Sequence, residues 1–248
     1  MFPIRDHNPA TRTPYITYGL IIINIVVFVL MLPAAGSEAE LARIYYQWGL
    51  VPLWVVEGQH LSGLFTHMFL HGGLMHLAGN MLFLWIFGDN LEDELGHVGF
   101  GLFYVASGLG AAMLQILAAP YSTAPMIGAS GAIAGVMGGY LLLFPRARVD
   151  VLFIFFVFFR IFPVPAWFVL VIWFVIQIAN GVSAAPGGAG VAYWAHAGGF
   201  VVGILWILPV WLKRGGLGFW SRNEGRPPHP AARYRLVESR VPKVRRRR

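Results

Sequence analysis

The sequence predicts an all-α, polytopic membrane protein: a six-helix bundle with an interfacial loop between its first two spans. Three observations predict it. Hydrophobic residues fill 57% of the 248 positions and charged residues only 12%, about half the charged share of a soluble domain. The apolar residues gather into six stretches near the roughly 20 residues that a membrane-crossing helix needs. The charge is also segregated: residues 213–248 carry 12 Lys and Arg against 2 acids, whereas residues 1–212 carry 6 against 9. The net charge of +7 thus belongs to a tail and not to the body. It gives no reason to expect nucleic acid as a partner, and anionic lipid headgroups suit the tail better. Apolar content this high excludes a disordered chain. With no cysteine present, disulfides, thiolate metal sites and cysteine nucleophiles are ruled out.

The spans fall at about 16–33, 70–88, 98–118, 127–144, 164–182 and 191–212, by the length of their apolar runs. The first begins inside the chain without a small-residue cleavage site, so it reads as a span and not as a signal peptide. Residues 34–66 are amphipathic, with Tyr45, Tyr46, Trp48 and Trp54 among polar residues. That pattern is expected of a loop lying at the lipid–water interface. The apolar run Val151–Phe159 is short and is separated from the fifth span by Pro163 and Pro165. It is expected to extend that helix or to lie along the inner surface. An even number of spans puts both termini on one side. If that side is cytoplasmic, 16 of the 18 basic residues fall inside, as the positive-inside rule requires. Both termini are therefore expected in the cytoplasm, and the membrane expected is a bacterial inner membrane. The segment 223–248, rich in Pro and ending in Arg245–Arg248, reads as disordered. The chain divides into a membrane domain, 1–212, and a basic, disordered tail, 213–248.

Ionisable and polar groups are costly inside a bilayer, so they mark function by default. Span two opens with His67, His71, His76 and Asn80, span four with Gly128-Ala129-Ser130-Gly131, and span six with Ala195-His196-Ala197-Gly198-Gly199. In the expected orientation all three groups lie in the outer half of the membrane. At about 1.5 Å per residue, Ser130 and His196 sit within one or two turns of their helix ends. Gly131, Gly135 and Gly139 recur every four residues on span four, as do Gly199 and Gly203 on span six. Small residues at this spacing let membrane helices approach closely, which would bring Ser130 towards His196.

Together, His71-x4-His76-x3-Asn80, Gly128-x-Ser130-Gly131 and Ala195-His196-x2-Gly199-x3-Gly203 resemble the motifs of the rhomboid family of intramembrane serine proteases. The three occur in the family's order, on the matching helices of a six-span core. The acidic stretch Gly88–Asp93 resembles the family's as well. The resemblance implies a Ser–His dyad: Ser130 as nucleophile, activated by His196 as base. It implies that His76 and Asn80 donate to the oxyanion, beside the Ser130 N–H at the positive end of its helix. Four residues apart, His76 and Asn80 share a helix face. His71 and His67 are read as structural, and Gly128, Gly131 and Gly199 as close-approach positions around the site. Ser107, mid-helix in span three, is read as structural too.

No metal or other cofactor is expected. His71 and His76, five apart, do not share a helix face well, no carboxylate accompanies them, and Ser–His hydrolysis needs no metal. In one respect the sequence departs from the family. The residue four after the nucleophile, often an aromatic packed on the catalytic histidine, is Ala134. Nothing acidic lies nearby to orient His196, so packing is expected to do it, with Phe200 or Trp194 as the candidate ring. The activity implied is cleavage of single-span membrane proteins near the outer face, at small or helix-breaking residues. Two other readings stand beside it. One is a non-catalytic relative that binds membrane helices, which would be expected to lose the serine or the histidine. The other is a small transporter relaying protons through His76 and His196, for which no inverted repeat is present.

Overall fold

The computed structural model describes residues 2–155, 158–184 and 191–227. A helix, α1 (Tyr15–Met31), leads through a 3-10 turn into three short helices: α2 (Glu38–Trp48), α3 (Pro52–Val56) and α4 (Gly63–Thr66). Five further helices follow: α5 (Leu74–Ala118), α6 (Ser130–Leu143), α7 (Ala166–Ser183), α8 (Tyr193–Lys213) and α9 (Leu217–Asn223). Four helical stretches are long and apolar enough to cross a membrane: residues 15–36, 74–118, 166–183 and 193–213. At 14 residues α6 is shorter, though also apolar.

The 45-residue α5 is broken at Gly96, whose φ of 70° and ψ of 166° only glycine adopts readily. Its two legs, 74–95 and 97–118, correspond to the expected second and third spans. They run antiparallel. His76 at the start of the first leg lies against Gly128, and Gln115 near the end of the second accepts from the Ala195 N–H. Both of those partners flank the same pair of residues, Ser130 and His196. Glu94, beside the break, pairs instead with Arg214 at the far end of α8.

α6 is the hub of the bundle, with every residue from Gly131 to Tyr140 buried. Its glycines face backbone, as their spacing predicted. A Cβ on Gly199 would collide with the Gly131 carbonyl oxygen, and one on Gly203 with that of Gly135. α6 and α8 therefore pack main chain to main chain, which only small residues permit. The acidic stretch near the end of the first leg of α5 works at the opposite end from Ser130. Glu92, 2% exposed, accepts from the Ile16 and Thr17 N–H groups at 2.9 and 2.8 Å and from Thr17 Oγ1 at 2.7 Å. A carboxylate at the positive end of α1 satisfies donors that the helix itself leaves open. Asp93 accepts from Thr11.

Two expectations need correction. The fold is not purely helical, because the apolar run at 151–159 does not extend α7. Its described residues, 151–155 and 158–159, belong to a three-stranded antiparallel sheet ordered β1 (Phe2–Asp6), β2 (Arg148–Phe155), β3 (Phe158–Pro165). The segment is rich in β-branched and aromatic residues, which suit strands. Pro163 and Pro165 are tolerated because β3 is an edge strand. The N-terminal strand is fastened by Asp150, which accepts from Arg5 and bonds His7 Nε2, both at 2.8 Å. Burial opposes ionisation of Asp150, but these two partners outweigh it and hold the carboxyl below its usual range. Order also extends past residue 212. α9 docks on the bundle, with Trp220 Nε1 donating to the Leu142 carbonyl at 3.1 Å. The rest of the basic tail, 228–248, lies outside the described residues. The 34–66 segment carries α2, α3 and α4 and so is largely helical.

Candidate active site

Local sequence delivers Ser130 to the first position of α6. Gly128 has a φ of +124°, a conformation L side chains rarely adopt, and its N–H donates to the His67 carbonyl at 2.9 Å. The turn swings the chain into α6 so that Ser130 opens the helix. The first helical bond there is Ile133 N–H to the Ala129 carbonyl, so the N–H groups before it face away from any intrahelical acceptor. A developing anion beside Ser130 would meet these donors and the positive end of the helix dipole.

Across the α6–α8 seam, His196 Nε2 stands 2.7 Å from Ser130 Oγ. The two residues that the sequence singled out as nucleophile and base are thus in hydrogen-bond contact. The other nitrogen of His196 is also engaged: Nδ1 is 2.8 Å from Gln177 Oε1 on α7. The imidazole is therefore oriented by a hydrogen bond and not by packing alone, which corrects the sequence reading. The ring beside it is also a different one from those expected. Trp173, one turn before Gln177, lies 5.6 Å from His196 at 36°. Phe200 instead stacks on Phe174, and Trp194 lies against Gly181. Ala134 is fully buried, so α7 supplies the aromatic surface that α6 lacks. The sequence held one signal for Gln177, an amide inside an apolar span, four residues after a tryptophan.

His76 and Asn80 occupy one face of α5, as predicted, and both line the cavity with Ser130 and His196. His76 Nδ1 accepts from the Gly72 N–H at 3.3 Å, which leaves Nε2 as the protonated nitrogen. That nitrogen points towards Gly128, where an added Cβ would lie 2.8 Å from it. Asn80 Nδ2 is 2.9 Å from Nε2 of His71. His71 precedes α5, so helical spacing does not govern it, and its ring meets that of His76 edge-on at 5.0 Å. The two rings thus meet although the residues do not share a helix face. His71 is 1% exposed and holds Asn80 from behind. His67 is equally buried, with Nδ1 on the Gly63 carbonyl. Ser107 lies apart, its Oγ buried against Gly135 without a partner.

The cavity over these groups encloses about 560 Å³. Its apolar lining includes Met75, Phe83, Ile133, Met137 and Trp173. One wall is polar, carrying the Ser130 hydroxyl, the His196 and His76 imidazoles and the Asn80 amide; the others suit an apolar chain.

Fold and site together define a helical, integral membrane protein with a serine–histidine pair set against a row of hydrogen-bond donors. Comparison with known proteins gives the family. The Rhomboid domain model matches residues 58–213, and the chain belongs to the rhomboid family. It is 35% identical over 145 residues to Rhomboid protein 1, mitochondrial, of Saccharomyces cerevisiae, covering 56% of this chain and 38% of the relative. It is 29% identical over 168 residues to RHOMBOID-like protein 6, mitochondrial, of Arabidopsis thaliana, covering 55% and 54%. To the rhomboid protease GluP of Bacillus subtilis it is 34% identical over 128 residues, covering 52% and 24%. The matched stretch thus spans about half or less of each of these relatives.

Proposed function

We propose that this protein is an intramembrane serine endopeptidase that cuts single-span membrane proteins near the outer face of the bilayer. The observation that carries the reading is the 2.7 Å contact of Ser130 Oγ with His196 Nε2 beneath an apolar-walled cavity. The bundle crosses six times, counting the legs of α5 separately and including α6. Fourteen residues of α6 measure about 21 Å, short of the roughly 30 Å hydrocarbon core. Ser130 therefore lies recessed below the outer surface, and α2–α4 rest at the interface. Both termini lie in the cytoplasm, where the basic tail meets anionic headgroups.

In the proposed reaction a substrate helix enters from lipid and unwinds locally. Helical carbonyls are already hydrogen-bonded and covered, so unwinding must precede attack. His196 takes the Ser130 hydroxyl proton as Oγ adds to the carbonyl carbon. The Ser130 N–H, His76 Nε2–H and Asn80 amide stabilise the tetrahedral oxyanion. His196 then returns the proton to the leaving amine. Water, deprotonated by the same imidazole, releases the acyl-enzyme.

Purified protein reconstituted with a single-span substrate is expected to cleave it. Ser130→Ala and His196→Ala are expected to abolish cleavage without loss of folded protein. Cleavage undiminished in Ser130→Ala would overturn the assignment. Stable binding of membrane helices by the wild type, with no cleavage, would identify a non-catalytic binder instead.

A further inference from the structure

We propose that Gln177 is a positioning residue of this dyad, setting the tautomer and aim of His196 from α7 through Nδ1. The proposal rests on the hydrolytic reading of Ser130 and His196 and assigns a third member that no sequence motif marks.

For His196 to accept the Ser130 proton at Nε2, its own proton must reside on Nδ1. That tautomer is set by whatever faces Nδ1, and here it is the amide of Gln177 at 2.8 Å. An amide can present either its oxygen or its NH2, and only the oxygen enforces the productive tautomer. The orientation is fixed one turn back. Gln177 Nε2 donates to the Trp173 carbonyl at 3.4 Å, which turns Oε1 towards the imidazole. The relay is therefore directional: the Trp173 carbonyl orients Gln177, Gln177 accepts from Nδ1–H, and Nε2 is left with its lone pair on Ser130. The Trp173 indole closes the other side of the ring at 5.6 Å.

The anchorage is rigid on both sides. Gln177 is 7% exposed and belongs to the buried stripe Ala166, Leu170, Gln177 and Gly181 by which α7 is seated. The imidazole's own helix is held at the neighbouring residue by Gln115, which accepts the Ala195 N–H at 3.2 Å. A neutral acceptor cannot stabilise an imidazolium as a carboxylate does. Its contribution is orientation and tautomer, and its loss leaves Nδ1–H buried without an acceptor.

Gln177→Leu, close in size and without an acceptor, tests the role in full-length protein in proteoliposomes. Expected is a fall of about 10- to 100-fold in kcat and in the rate at which a fluorophosphonate labels Ser130, with KM within about twofold. Gln177→Glu, which restores an acceptor oxygen, is expected to recover activity to within about threefold. Unchanged kcat and labelling in Gln177→Leu would overturn the positioning role while leaving the dyad standing. A wild type that neither labels nor cleaves would overturn the hydrolytic reading itself. An independent readout needs no variant at Gln177. In protein labelled with 15N-histidine, with the His196 signals identified by their loss in His196→Ala, the resting imidazole is expected neutral with its proton on Nδ1. A proton found on Nε2 would overturn the proposal even if Gln177→Leu failed to fold.

Discussion

A single methyl group at Gly199 is expected to silence the site from outside it. Gly199 contributes no functional atom. A Cβ there would fall far inside contact distance of the Gly131 carbonyl oxygen, whereas ordinary contact begins at 3.4 Å. Both sides of the clash are backbone, so no rotamer relieves it, and the helices must part by about 1 Å or more. Gly131 adjoins Ser130 and Gly199 lies three residues after His196, so the separation falls directly on the dyad. Its 2.7 Å contact would open to roughly 3.7 Å or beyond, past hydrogen-bonding range. Misplacement of reacting groups by about 1 Å costs on the order of 100-fold in rate. Gly199→Ala is therefore expected to lower kcat by about that factor in proteoliposomes, with the thermal midpoint in detergent lowered as well. Gly19→Ala is the control, since a Cβ there meets nothing within 4 Å, and it is expected to retain full activity. Wild-type kcat in folded Gly199→Ala would refute the claim that main-chain packing of α6 on α8 sets the catalytic distance.

Other expectations follow from residues elsewhere in the chain. Ser107→Ala removes a buried hydroxyl with no partner and is expected to leave cleavage unchanged and the thermal midpoint equal or higher. Glu92→Ala strands the Ile16 and Thr17 donors and is expected to cost on the order of 3 kcal/mol in unfolding experiments, with Glu92→Gln milder. Burial raises Asp6 to about 7, against the hydrogen bond it accepts from Tyr140 and with His7, Asn8 and Asp89 close by. The folded state thus keeps a proton that the unfolded chain loses near 3.8. The associated stability is fully present below that value and is lost as pH rises through about 7. The difference in thermal midpoint between Asp6→Asn and the wild type should therefore grow in the variant's favour between pH 5 and 8, and a difference that stays constant over that range would contradict it.

The site was legible to the extent that its chemistry is anomalous in lipid. A serine, histidines and an asparagine stand out in apolar helices, and the four-residue spacing of Gly131, Gly135, Gly199 and Gly203 announces contact between two of them. Gln177 was overlooked because a neutral amide in an apolar span has no motif of its own, and its meaning depends on a partner 19 residues away. Trp173 was overlooked for a related reason: every span is rich in aromatics, so no pattern marks the one that faces His196. The sheet was hidden because both faces of 151–159 are apolar, which erases the alternation that normally reveals a strand. Helix boundaries were better served. α1, α7 and α8 begin and end within about three residues of the apolar runs, since hydrophobic length is the signal they share.

The central claim is that Ser130 is a nucleophile activated by His196. It is tested most directly by treating the full-length protein in liposomes with a fluorophosphonate and mapping the modified residue by mass spectrometry. A single adduct on Ser130 is predicted, absent in Ser130→Ala and strongly slowed in His196→Ala. No adduct on Ser130, or equal labelling when His196 is removed, would contradict it.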